Sequence, residues 1–123
     1  MSMTKVVVYG SLKAGFGNSH LLDGVACLDN DVKFMGTMAS LGGYPCVSQH
    51  GDTVIHGELY EVDDATLARL DRLEGHPRYY ERKIVHTSAG DAWIYLIDDQ
   101  SYYADGARIV KDGRWTESWR NAA

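Results

Sequence analysis

Short apolar runs separated by glycine-rich turns dominate the chain, and most of the runs have the character of strands. The first is Val6-Val7-Val8, three β-branched residues that favour an extended, packed backbone, running straight into Tyr9-Gly10-Ser11-Leu12 and a loop containing Gly15 and Gly17. A short helix is expected at 19–22, a strand over 32–38, and a turn at Gly42-Gly43-Tyr44-Pro45. A further strand over 54–62 contains Gly57, which predicts a bulge or a close backbone approach. Residues 79–87 and 92–97, joined through Ser88-Ala89-Gly90-Asp91, predict a β-hairpin, and Asp105-Gly106 and Asp112-Gly113 mark later turns.

One segment has helical periodicity instead. Asp63 or Asp64 supplies an N-cap, Gly75 a left-handed C-terminal residue and Pro77 a stop, which predicts a helix over 65–74. Leu67, Leu70 and Leu73 define its apolar face, with Arg69 and Arg72 opposite. Glu74 stands seven residues after Leu67 and four after Leu70, where an amphipathic helix ordinarily carries another leucine. A carboxylate turned toward an apolar interior loses hydration of its charged form, and the carbonyl dipoles of a helix C-terminus also disfavour an anion. Both effects raise proton affinity toward the range of a general base at neutral pH. The opposing expectation is a frayed last turn that leaves Glu74 in water.

An order of mostly strands with one central helix argues against an alternating βαβ sheet. It predicts a mixed α+β fold: a small closed or strongly curved β-barrel with one main helix packed on it. At 123 residues, 45% hydrophobic and 24% charged, the chain fits a single domain spanning 1–123. A net charge of −5 with twelve scattered basic residues argues against nucleic acid and anionic membrane as partners. The opening apolar run is too short for a signal peptide or a membrane span, so a cytoplasmic protein is expected. Cys27 and Cys46 lack companions at metal or redox spacing and read as small buried hydrophobes. His20, His50, His56, His76 and His86 show no metal-ligand spacing, and no metal is expected.

The glycine-rich loop after the first strand can present backbone N–H groups to an anion or to an oxygen that gains charge during reaction. It is not a phosphate-binding P-loop, because Phe16 and Gly17 stand where lysine and a hydroxyl residue belong. It is not a dinucleotide fingerprint either, since His20 occupies the third small position.

Tyr9-Gly10-Ser11-Leu12, the turn Gly43-Tyr44-Pro45, Gly57-Glu58-Leu59-Tyr60, and Leu70-Asp71-Arg72-Leu73-Glu74-Gly75-His76-Pro77 followed by Tyr79-Tyr80-Glu81-Arg82 together resemble the γ-glutamylcyclotransferase superfamily, most closely its short AIG2-like branch. The resemblance runs from Val6 to Asp112-Gly113-Arg114-Trp115. It implies a compact α/β fold whose Tyr9, Gly10, Ser11 and Leu12 bind substrate beside one acid/base glutamate, Glu74, with Tyr80 orienting substrate or glutamate. Tyr44 and Tyr95 are expected to be structural or to form a wall. It further implies a cofactor-independent reaction on a small-molecule γ-glutamyl substrate, in which the substrate's α-amine attacks its own γ-carbonyl to give 5-oxoproline and a free amine. The competing class is a non-catalytic binder of small carboxylates or amines that keeps the pocket, although such a binder has no need to bury a carboxylate. A third class, a protein-interaction module, requires an exposed apolar patch.

Overall fold

The structure, a computed structural model, describes residues 3–10, 12, 13, 15, 17 and 19–120. Ser11, one of the expected substrate contacts, lies outside the described residues. Five strands, β1 (Met3–Val8), β2 (Ala26–Ser40), β3 (Pro45–Asp63), β4 (Glu81–Thr87) and β5 (Gly90–Leu96), form one sheet in the order β2-β3-β1-β5-β4. The central strand β1 runs antiparallel to β3, with Val8 opposite Glu58, and parallel to β5, with Val6 opposite Trp93. Its three valines are all buried, because the sheet is covered on both faces and a doubly covered strand is apolar without alternation. Val6 and Val8 pack with Leu70, Tyr80 and Tyr95 on the helix side, whereas Val7 joins Phe34, Ile55, Leu59, Ile94 and Trp115 on the other.

The sheet is strongly curved. β2 and β3 pair with three register shifts, the last between Gly36 and Thr37, so Gly36 faces Thr53 while Thr37 faces Ser48. The extra residues of β3 are held by a hydrogen bond from Thr37 Oγ1 to the His50 carbonyl at 2.8 Å. Such irregularities bend the longer strand and increase its twist. The β4–β5 turn reaches across to β2, where Ser88 N donates to the Lys33 carbonyl at 2.8 Å and Lys33 N donates to Ser88 Oγ at 2.9 Å. The strand ladder nonetheless stops at β2 and β4, so the curved form of the expected barrel is present and the closed form is not. The C-terminal segment meets β2 instead, through a bridge between Ala39 and Ile109, and covers the interior. Val110 N donates to the Met38 carbonyl and His56 N to that of Gly113, at 2.9 and 2.8 Å, and Trp115 fills the core beneath.

Gly57 serves a close approach: a Cβ there would lie 2.8 Å from both the Val8 carbonyl oxygen and Val7 Cγ1. The helix α1 (Asp64–Glu74) begins at Asp63, whose carboxylate accepts from Thr66 N at 2.8 Å, and ends at Gly75 with φ 68°. Thr66 and Leu70 are its buried residues, and Leu67 is partly buried. Leu73, expected on the inner face, is 41% exposed, because the last turn projects beyond the strands to the edge of a cavity. Cys27, expected to be buried, is exposed at the open start of β2, while Cys46 is buried; both are free thiols. No helix among the described residues is long and apolar enough to cross a membrane.

Candidate active site

A cavity of about 410 Å³ opens where β1 ends. It is lined by Val7, Val8, Tyr9, Gly10 and Leu12 from the end of β1 and the loop after it, and by Gly43, Tyr44 and Pro45 from the turn before β3. The end of α1 contributes Leu73 and Glu74, and Tyr79, Tyr80 and Tyr95 complete the lining. The structure thus brings Tyr9, Gly10, Leu12, Glu74 and Tyr80 to one cavity, although they are spread over most of the chain.

Glu74 reaches this place because Leu70, one helical turn earlier, is fully buried and orients the helix. The last turn does not fray. Gly75 N and His76 N donate back to the carbonyls of Arg72 and Asp71 at 3.3 and 3.0 Å, and Tyr80 N donates to the Glu74 carbonyl at 3.2 Å. Glu74 is half-buried, and burial of its carboxylate raises the pKa from 4.5 to about 7. Among the described residues it is the one charged side chain lining the cavity.

Three tyrosines surround it. Burial raises the Tyr80 hydroxyl pKa far above normal, and the nearby negative charge of Glu74 adds to the effect. Burial also dominates at Tyr9 and Tyr95, with Glu74 again contributing, so all three hydroxyls remain protonated donors. Each donates elsewhere in the fold. Tyr80 Oη donates to the Pro45 carbonyl at 2.6 Å, and Tyr9 Oη donates to the Tyr95 carbonyl at 2.6 Å. Tyr95 Oη donates to Asp71 Oδ1 at 2.7 Å.

Gly10 and Tyr80 grip Pro45 from two sides. A Cβ at Gly10 would sit 2.8 Å from Pro45 Cγ and 2.9 Å from Cδ, so the loop and the turn meet this closely only because position 10 is glycine. Behind the cavity, Arg82 makes a two-pronged pair with Asp71, Nε to Oδ1 at 2.8 Å and Nη2 to Oδ2 at 3.0 Å. Burial opposes ionisation of Asp71, but the Arg82 and Tyr95 hydrogen bonds hold its carboxyl below the usual range. The same guanidinium lies over the Trp93 ring at 4.7 Å. This pair fastens α1 to β4 and β5, and His76 Nδ1 accepts from Arg82 N at 3.1 Å.

Five of the eight tyrosines line the cavity, an accumulation invisible in a linear reading because β5 and three separate connecting segments supply them. Tyr44 and Tyr95 are walls. Tyr79 had not stood out beside Tyr80, yet it lines the cavity and its hydroxyl lies 3.1 Å from that of Tyr44. The Asp71–Arg82–Tyr95 arrangement was also missed; an acid and a base eleven residues apart, on a helix and the next strand, was its one visible signal.

The curved sheet, the single main helix and the cavity at the end of β1 place the protein in the class of AIG2-like mixed α+β folds. The chain belongs to the gamma-glutamyl cyclotransferase, AIG2-like family, whose match spans residues 6–117. It is 34% identical over 113 residues to the gamma-glutamylcyclotransferase family protein YtfP of Escherichia coli K12, covering 92% of this chain and 96% of the relative. It is 39% identical over 113 residues to a putative gamma-glutamylcyclotransferase of Vibrio cholerae, covering 91% and 95% of the two chains. Among solved structures, a mouse AIG2-like protein superimposes with a TM-score of 0.77 at 20% identity, over 94% of this chain and 90% of the mouse chain. At that identity the likeness concerns the fold.

Proposed function

We propose that the protein is a γ-glutamyl-amide cyclotransferase that releases 5-oxoproline and a free amine, with Glu74 as general base and then general acid. The observation that carries this reading is a half-buried glutamate with a pKa of about 7 that lines one cavity together with a glycine-containing loop. The membership of the family and the names of the E. coli and V. cholerae relatives support the reaction type.

The α-amine of a γ-glutamyl amide arrives as an ammonium ion. The Glu74 carboxylate takes a proton from it, and the nitrogen lone pair then attacks the γ-carbon to close a five-membered ring. Negative charge develops on the γ-oxygen, where main-chain N–H groups of the Tyr9–Leu12 loop stabilise it, a contribution of roughly 3 kcal/mol per donor. The carbon–nitrogen bond to the leaving group breaks as Glu74 returns a proton to that nitrogen. Over the whole reaction the α-ammonium gives up two protons and the released amine gains two, so neither water nor a redox partner is consumed. A glutamate with matched affinity for the proton in both directions suits this exchange, which is worth about 10²- to 10⁴-fold in comparable sites. Confinement of the glutamyl chain between Pro45, Tyr80 and the loop supplies the folded pose that cyclisation requires.

The test is 5-oxoproline release from a panel of γ-glutamyl amides, with wild type and Glu74→Gln side by side. Release by wild type and a loss of at least about 100-fold in the variant support the reading. Equal release by both removes Glu74 from the role, and binding without release by either favours the non-catalytic binder.

A further inference from the structure

We infer that Lys13 is a positioning residue for the reaction: it fastens the loop after β1 to the C-terminal segment and so fixes the loop's main-chain N–H groups relative to Glu74. The inference rests on the cyclotransferase reading and adds a residue that does not itself line the cavity. Lys13 closes the turn that begins at Gly10, donating its main-chain N–H to the Gly10 carbonyl at 3.0 Å. Its half-buried side chain then donates from Nζ to the Trp115 carbonyl at 2.7 Å, a contact between residues 102 positions apart. One residue thus ties Gly10 and Leu12, which line the cavity, to a segment that does not.

At its start the loop is held by the close contact of Gly10 with Pro45. Beyond Lys13 it runs through Gly15 and Gly17, where an added Cβ would meet nothing within 4 Å, so packing at those glycines lends it no stiffness. The hold at the end of the turn comes from Lys13, and the anchor it reaches is firm. Trp115 is buried in the core, and the Gly113 carbonyl accepts from His56 N at 2.8 Å. Arg114 Nη2 lies 3.0 Å from His56 Nδ1 and 3.5 Å from Asp31 Oδ1. Burial lowers the pKa of the Lys13 ammonium, Glu58 and Asp31 oppose that effect, and Arg114 adds to it. A cationic donor makes a hydrogen bond about twice as strong as a neutral one, which suits a tether. The tether matters to the chemistry because donors to a developing oxyanion act at about 2.7–3.1 Å, and a displacement of about 1 Å can cost about 100-fold. A loop released at one end loses most in the transition state, where the γ-oxygen carries charge, and least in the ground state, where that oxygen is neutral.

Lys13→Met keeps the reach of the side chain and removes the donor. Its kcat for 5-oxoproline release should fall at least about tenfold while KM stays within about threefold of wild type, and Lys13→Arg, which keeps a cationic donor, should recover most of the loss. Asp63→Ala, weakened at a helix cap remote from the cavity, is the control for stability and should keep its kcat. An unchanged kcat in Lys13→Met overturns the inference, as does a loss confined to KM or an equal loss of kcat in Asp63→Ala. The tether is also read without turnover, from hydrogen exchange of the position-13 amide that closes the turn. Its protection should drop at least about tenfold in Lys13→Met and be kept in Lys13→Arg. If wild type releases no 5-oxoproline from any γ-glutamyl amide, the cyclotransferase reading fails on its own account. The exchange measurement then still decides the fastening, since lost protection in Lys13→Met supports it and unchanged protection contradicts it.

Discussion

Glu74 costs the folded protein stability whenever it is ionised. Its pKa is about 7 in the fold against an ordinary 4.5, so between those values the folded chain holds a proton that the unfolded chain has released. Stability therefore falls as pH rises from about 4.5 to about 7, and the full penalty is present above that window. Allowing for partial exposure, the penalty is on the order of 2 kcal/mol. Glu74→Gln should unfold at higher denaturant concentration than wild type at pH 8 and at nearly the same concentration at pH 4; equal midpoints at pH 8 would show that the carboxylate is well solvated. The same ionisation should appear in the reaction as an acid limb of kcat/KM that rises with pH up to about 7 and levels off above it. The inward turn of this residue was legible from its spacing to Leu70. Its enclosure by tyrosines was not, because Tyr9, Tyr44 and Tyr95 come from distant parts of the chain.

At the scale of elements, α1 is specified by local chemistry: the Asp63 cap and the Gly75 terminus were both readable and both are present. The two ends have different consequences. Asp63→Ala removes the acceptor for Thr66 N and should cost about 1 kcal/mol with kcat/KM almost unchanged, since the cap is remote from the cavity. Gly75→Ala forces a side chain into a left-handed conformation at about 1–2 kcal/mol and places its Cβ 3.2 Å from Tyr79 Cβ. It should lower both stability and kcat/KM by displacing the Tyr79 wall. Chemical denaturation and 5-oxoproline assays on the two variants separate these outcomes, and equal activity in both would mean that the helix end does not shape the site. Leu73 shows the limit of periodicity. It has the phase of an inward leucine, but the helix outruns the sheet there, and a projection onto one helix carries no information about where its neighbour ends.

At the scale of the molecule, the expected α+β class and curved sheet are present, while closure is replaced by cover from the C-terminal segment. That substitution was illegible because it depends on contacts such as Val110 to Met38 and Ala39 to Ile109, about 70 residues apart, in a segment without strand periodicity. Trp115 is its anchor, buried in the core and stacked with Trp119 at 6.3 Å. Trp115→Ala should cost about 3–5 kcal/mol, a large share of the total for a domain of this size; a loss below about 1 kcal/mol by denaturant titration would mean that the segment merely lies on the surface. The central claim spans the whole assembly: helix end, first loop and turn act on one molecule. A crystal structure with 5-oxoproline bound tests it most directly. The account predicts the lactam nitrogen within hydrogen-bonding reach of the Glu74 carboxyl and the ring carbonyl on main-chain N–H groups of residues 10–12. A ring bound outside the cavity, or inside it with Glu74 untouched, would contradict the account.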